Sequence, residues 1–135
     1  MSSPFPLRPS IDHAPRSRVE IDLGDEETTA VLGALGSETA RSILHAVADG
    51  PAPASELADE VDSSLQNVHY HLTKLRDAGL VTEAGTWYSA KGNEMDVYDL
   101  TSERVAVRLS SESDDAATVD REQRDRPRTE STAVR

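Results

Sequence analysis

Residues 62–81 read Asp-Ser-Ser-Leu-Gln-Asn-Val-His-Tyr-His-Leu-Thr-Lys-Leu-Arg-Asp-Ala-Gly-Leu-Val, and they limit the possible folds more than any other stretch of the chain. Leu65, Val68, Leu72 and Leu75 recur at i, i+3, i+7 and i+10, the spacing of one buried helix stripe. The pattern predicts a helix over about 64–78 that stops at Gly79, after which Leu80 and Val81 turn back into a core. The opposite face carries Gln66, Asn67, His69, Tyr70, Thr73 and Lys74. Flat amides, rings, a hydroxyl and an ammonium are the groups that bond to base edges and phosphates, so this face is expected to meet double-stranded DNA.

The charge distribution makes that face distinctive. The chain has 135 residues and a formal net charge of −11. Residues 20–62 hold eleven carboxylates against Arg41, whereas residues 63–82 hold Lys74 and Arg76 against Asp77 alone. Only Lys74 and Lys91 are lysines. Abundant Asp and Glu, scarce Lys and few large apolar residues resemble proteins of salt-adapted archaea, where a carboxylate surface holds hydration and salt screens self-repulsion. An acidic protein of an ordinary cell has the same balance of charge. Cysteine is absent, which excludes disulfides, thiolate metal sites and cysteine nucleophiles. No apolar run approaches the length of a membrane span and the N-terminus lacks a signal-peptide core, so a cytoplasmic protein with no membrane partner is expected.

A single Phe and an aromatic share of 4% predict one small core of Leu, Val, Ile and Ala. Residues 1–18, with Pro4, Pro6, Pro9 and Pro15, read as a disordered arm, and residues 111–135 as a disordered tail; the domain is expected over 19–110. Within it, Val19, Ile21 and Leu23 alternate with charged residues as in a strand. Asp25 is placed to cap a helix over about 26–35, and Ser37 to cap a second whose buried stripe is Ile43, Leu44 and Val47. Gly50 and Pro51 stop that helix, and Pro53 opens a short one carrying Leu57, Ala58 and Val61. After the long helix, residues 86–90 and 94–98 are β-prone runs around Lys91-Gly92-Asn93, a hairpin with Lys91 at its tip. Val105, Val107 and Leu109 fit either a strand, which would match and pair with the Val19 strand within one chain or between two chains, or a helix capped by Ser102.

Short helix, tight turn, longer helix and hairpin is the winged helix-turn-helix order, an α+β fold with about four helices and a β-hairpin wing. Leu57-Ala58, Val68-His69-Tyr70-His71-Leu72 and Leu75-Arg76-Asp77-Ala78-Gly79-Leu80-Val81 resemble the ArsR-type winged-helix repressors over roughly residues 30–100. That resemblance implies a homodimer on a pseudo-palindromic operator, with the helix of residues 64–78 in the major groove and the wing of residues 86–98 on the backbone. Ser64, Gln66, Asn67, His69, Tyr70, Thr73, Lys74, Lys91 and Asn93 are then the DNA-facing positions. Gln66 and Asn67 suit bidentate bonds to adenine, and Lys74 and Lys91 suit phosphates.

Plain structural roles compete at several of these positions. Gln66 follows Ser63 by three residues and fits a capping box equally well, Ser64 fits a cap, and His71 lies beside the buried stripe. Trp87 and Tyr88 suit hairpin packing. Arg8, Arg16 and Arg18 fit a minor-groove arm, although a solvated tail accounts for them more simply. Many ArsR-type proteins sense metals, but residues 54–59 offer no thiol and His69 and His71 point to different faces, so neither metal nor cofactor is expected and the effector stays unassigned. No Gly-rich phosphate loop or triad spacing suggests an enzyme. A winged helix used for protein–protein contact in the transcription machinery is the alternative function, and an acidic chain suits it.

Overall fold

The computed structural model describes residues 8–110. In chain order its elements are β1 (Val19–Asp22), α1 (Glu26–Leu35), α2 (Glu38–Ala48), β2 (Ala52–Pro53), α3 (Ala54–Val61), α4 (Leu65–Asp77), β3 (Val81–Tyr88), β4 (Glu94–Leu100) and β5 (Val105–Arg108). Two serine hydroxyls fix where the central helices begin. Ser37 Oγ accepts from Ala40 N at 3.2 Å ahead of α2, and Ser64 Oγ accepts from Asn67 N at 3.0 Å ahead of α4. Asp25 stands at the start of α1 but does not cap it with its carboxylate, which accepts from Asp22 N at 3.3 Å instead. Its backbone carbonyl takes the Thr28 N–H, and the Thr28 hydroxyl donates back to the Asp22 carbonyl.

Apolar periodicity dictates the packing. Ile43 and Val47 of α2, Leu57 of α3, and Val68, Leu72 and Leu75 of α4 form one buried cluster, closed from the hairpin side by Val81 and Tyr98. Leu44 packs at its margin. Leu65, expected in the same stripe, is 47% exposed. It lies on the same side of the helix as Leu72, at the first residue of α4, and is left exposed because the first turn of α4 projects past the core.

The turn between α3 and α4 is tight because Asp62 adopts the left-handed conformation (φ 57°, ψ 52°), letting Ser63 N donate to Ala58 O at 3.0 Å. Asp is one of the few side chains that tolerate this region. At the other end of α4, Gly79 takes φ +79° and sends Leu80 and Val81 inward.

Strands β3 and β4 form the hairpin, and the short β2 adds to β4 to give a sheet in the order β2-β4-β3. β3 starts at Val81, five residues before the predicted run, and a bulge between Glu83 and Gly85 absorbs one residue. Ser89 shapes the tip: its N–H donates to Asn93 O at 2.8 Å, its carbonyl accepts from Gly92 N at 2.8 Å, and its hydroxyl accepts from Asn93 N at 3.1 Å. β1 and β5 pair in parallel, Val19 opposite Val105 and Ile21 opposite Val107, which settles the last segment as a strand pairing within the chain. A helix-turn-helix of α3 and α4 with a β3–β4 wing is a winged helix-turn-helix.

Residues 8–18 depart from the expected solvated arm. Trp87 Nε1 donates to Pro9 O at 3.1 Å, His13 Nδ1 lies 2.9 Å from Asp99 Oδ2, and the Arg16 backbone bonds to Thr101 and Glu103. Proline spacing alone read as coil because each of these partners is more than seventy residues away in sequence. Expectations for residues 1–7 and 111–135 lie outside the described residues. Among the described residues no helix is long and apolar enough to cross a membrane.

Candidate nucleic-acid interface

The first element to place is α4, whose buried side is held by α1, α2 and α3. With Val68, Leu72 and Leu75 inward, helical geometry turns Gln66, Tyr70, Thr73 and Asp77 farthest outward, with His69 and Lys74 on the flanks; all six are exposed. Tyr70 is 57% exposed, a large ring in solvent on the outermost line of the helix. Its edge meets His71 (ring centroids 5.0 Å apart), and Lys74 Nζ stands 5.5 Å from its centroid. The ammonium and the ring therefore form a small preorganised unit: an apolar face beside a positive charge.

The other predicted positions divide. Gln66 is exposed on the second residue of α4 and makes no capping box, since Ser64 rather than Ser63 is the cap. Ser64 is committed to Asn67 N. Asn67 is half-buried and its side-chain amide donates to Ser63 Oγ at 2.9 Å, so it locks the turn instead of standing free for a base edge. The Thr73 hydroxyl donates to His69 O at 3.0 Å, a bond it can exchange for an external acceptor because the side chain stays exposed. Lys91 and Asn93 are exposed at the wing tip, and the Asn93 backbone is tied to Ser89. His71 lies half-buried beside the stripe.

A notch of about 260 Å³ opens between the start of α4 and the wing, lined by Pro53, Ala54, Ser55, Leu65, His69, Glu94, Met95, Asp96 and Tyr98. The exposed Leu65 belongs to this notch. Tyr98 forms its buried wall, and its hydroxyl is held above the ordinary value of 10.0 by burial and, secondarily, by the charges of Glu83 and Asp96.

The wing is acidic, in keeping with the excess of carboxylates over bases in residues 83–110. Glu83, Glu94 and Asp96 are exposed on it, against Lys91 at the tip. Glu83 accepts from Arg76 Nη1 at 2.7 Å, which neutralises one of these charges and ties the last turn of α4 to β3. The hairpin register made this pairing visible in principle, but only once β3 is known to begin at Val81. Among the described residues, no group of three or more His, Asp or Glu side chains is placed to hold a metal ion.

A family described as a helix-turn-helix domain matches residues 35–84, the span from the end of α1 to the first residues of β3. No curated protein matches the chain. Among solved structures, the chain is similar to the homodimeric winged helix-turn-helix DNA-binding domain of a possible ArsR-family transcriptional regulator from Mycobacterium bovis (20% identity, TM-score 0.47, covering 58% of this chain and 67% of that one). It is also similar to NolR from Sinorhizobium fredii (21% identity, TM-score 0.46, 74% and 83% covered). A third is HlyU from Vibrio cholerae (27% identity, TM-score 0.45, 57% and 77% covered).

Proposed function

We propose that this protein is a sequence-specific DNA-binding transcriptional regulator of the ArsR type that works as a homodimer in the cytoplasm, with α4 in the major groove and the wing tip on the backbone. One observation carries the reading: the outward line of α4, Gln66-Tyr70-Thr73, is exposed, flanked by His69 and Lys74, and lies in the stretch that lacks the acidic excess of its neighbours. Gln66 has the amide geometry for adenine, Tyr70 offers an apolar ring edge to a thymine methyl, and Lys74 brings a charge to the phosphates. Asn67 acts one step removed, holding the turn from which α4 projects.

The dimer has a candidate surface away from α4. Leu23 beyond β1, Leu32 of α1 and Leu109 beyond β5 are large apolar side chains that are all more than half exposed. A dimer that buries these side chains and leaves both α4 helices free meets the requirement of a two-fold operator.

Selection of bound duplexes from a random pool, at several KCl concentrations, tests the proposal. It predicts enrichment of one motif with two-fold symmetry. Recovery of duplexes with no shared motif contradicts it. The acidity of the wing favours one second reading, a module whose polar face meets a basic protein surface; that reading predicts no motif at any salt concentration.

A further inference from the structure

The segment ahead of β1 bridges the two elements that flank α4. Arg8 ion-pairs with Glu56 in the first turn of α3, and its guanidinium lies 4.6 Å from the centroid of the Trp87 ring on β3. Trp87 is held again by its Nε1–H bond to Pro9 O. Ile11 occupies the ground a side chain at Gly85 would need: a Cβ built there falls 2.6 Å from Ile11 Cδ1. Further along, His13 meets the buried Asp99, whose second oxygen accepts from Leu100 N at 2.8 Å, and Arg16 bonds to Thr101 and Glu103.

These contacts fall where the wing needs support. β2 pairs only with Val97 and Tyr98, so the outer part of the hairpin, residues 86–88 and 94–96, has no third strand. A two-stranded ribbon alone is marginal in water. Arg8, Pro9 and Ile11 touch that part or its base. Gly85, just past the bulge, supplies the absent side chain that lets Ile11 seat. An exposed ion pair such as Arg8–Glu56 contributes little by itself, so the seating of Ile11 and the cover over Trp87 carry the attachment.

We propose that residues 8–16 are a clasp that braces the outer wing through β3, with Ile11 as a positioning residue that acts on DNA only through the wing. Its consequence for DNA rests on the function proposed above. The clasp itself does not. Trp87 is the only tryptophan of the chain, so its fluorescence reports the attachment directly.

The test compares full-length protein with I11D and G85L. Acrylamide quenching of Trp87 and hydrogen exchange of amides 86–88 and 94–96 report the wing, exchange in α4 reports the body, and binding to the selected duplex reports function. The clasp predicts stronger quenching and several-fold faster exchange in the wing for both variants, unchanged exchange in α4, and several-fold weaker binding with the same ranking of sequences. Unchanged quenching and wing exchange in both variants overturn it. A loosened wing with full affinity overturns the positioning role. A loosened wing in a protein that never selects a DNA motif supports the clasp while the proposed function fails.

Discussion

Tyr70 and Asn67 stand three residues apart and do different work, which composition could not distinguish. Tyr70 lies on the outermost line of α4, while Asn67 turns back to Ser63. Asn67→Ala is therefore expected to lower stability by about 0.5–1.5 kcal/mol, the net worth of one side-chain hydrogen bond, with the order of preferred DNA sequences unchanged. Urea titration together with binding to the selected duplex and its point variants checks this. Helical spacing made Tyr70 legible as outward. It could not show that an amide at the third helical position has a serine hydroxyl within reach, because that depends on how the turn closes. Leu65 failed for a related reason: the stripe spacing is helical, but a helix end is buried only where another element covers it. Tyr98 gives a residue-scale prediction in pH. Its folded-state value lies above the unfolded one, so folding favours the protonated phenol; the contribution is complete below the unfolded value near 10 and is lost as pH rises through the folded value. Thermal unfolding across the alkaline range should show stability falling above that point, with a shallower fall in Tyr98→Phe.

Among the elements, the α3–α4 turn is the most exacting. Asp62 at φ 57° sets the angle from which α4 leaves, and a β-branched replacement there is sterically penalised. Asp62→Val is expected to cost about 1–2 kcal/mol, from the left-handed penalty, whereas Asp62→Gly should be tolerated. Chemical denaturation of the two variants side by side checks this; equal losses would mean that the carboxylate, not the backbone, matters. The caps at Ser37 and Ser64 and the stop at Gly79 were readable because each is a local matter of one side chain and the next turn. The early start of β3 was not, since Val81-Thr-Glu-Ala-Gly is a weak strand sequence that becomes one by pairing with β4 as far as Leu100.

Across the whole molecule, the α+β order was legible from periodicity and punctuation, and two matching alternations pointed to a β1–β5 pairing without giving its parallel direction or whether it joins one chain or two. The packing of residues 8–18 was hidden because its anchors, Gly85, Trp87 and Asp99, have no sequence neighbour that announces them. At this scale the proposed homodimer is the feature to test. Leu32 is 55% exposed on α1, and Leu32→Arg is expected to shift light-scattering mass from dimer to monomer while leaving the fold intact by circular dichroism. A dimer that survives the change places the interface elsewhere. The central claim, that α4 reads DNA with its outward line, is tested most directly by the affinity ratio between a selected duplex and a scrambled one. That ratio is measured by fluorescence anisotropy for the wild type, Tyr70→Ala and Lys91→Ala. The account predicts that Tyr70→Ala lowers the ratio by about tenfold, in keeping with 1–3 kcal/mol of base discrimination, while Lys91→Ala weakens both duplexes alike and leaves the ratio unchanged. A ratio that Tyr70→Ala leaves at the wild-type value would contradict it.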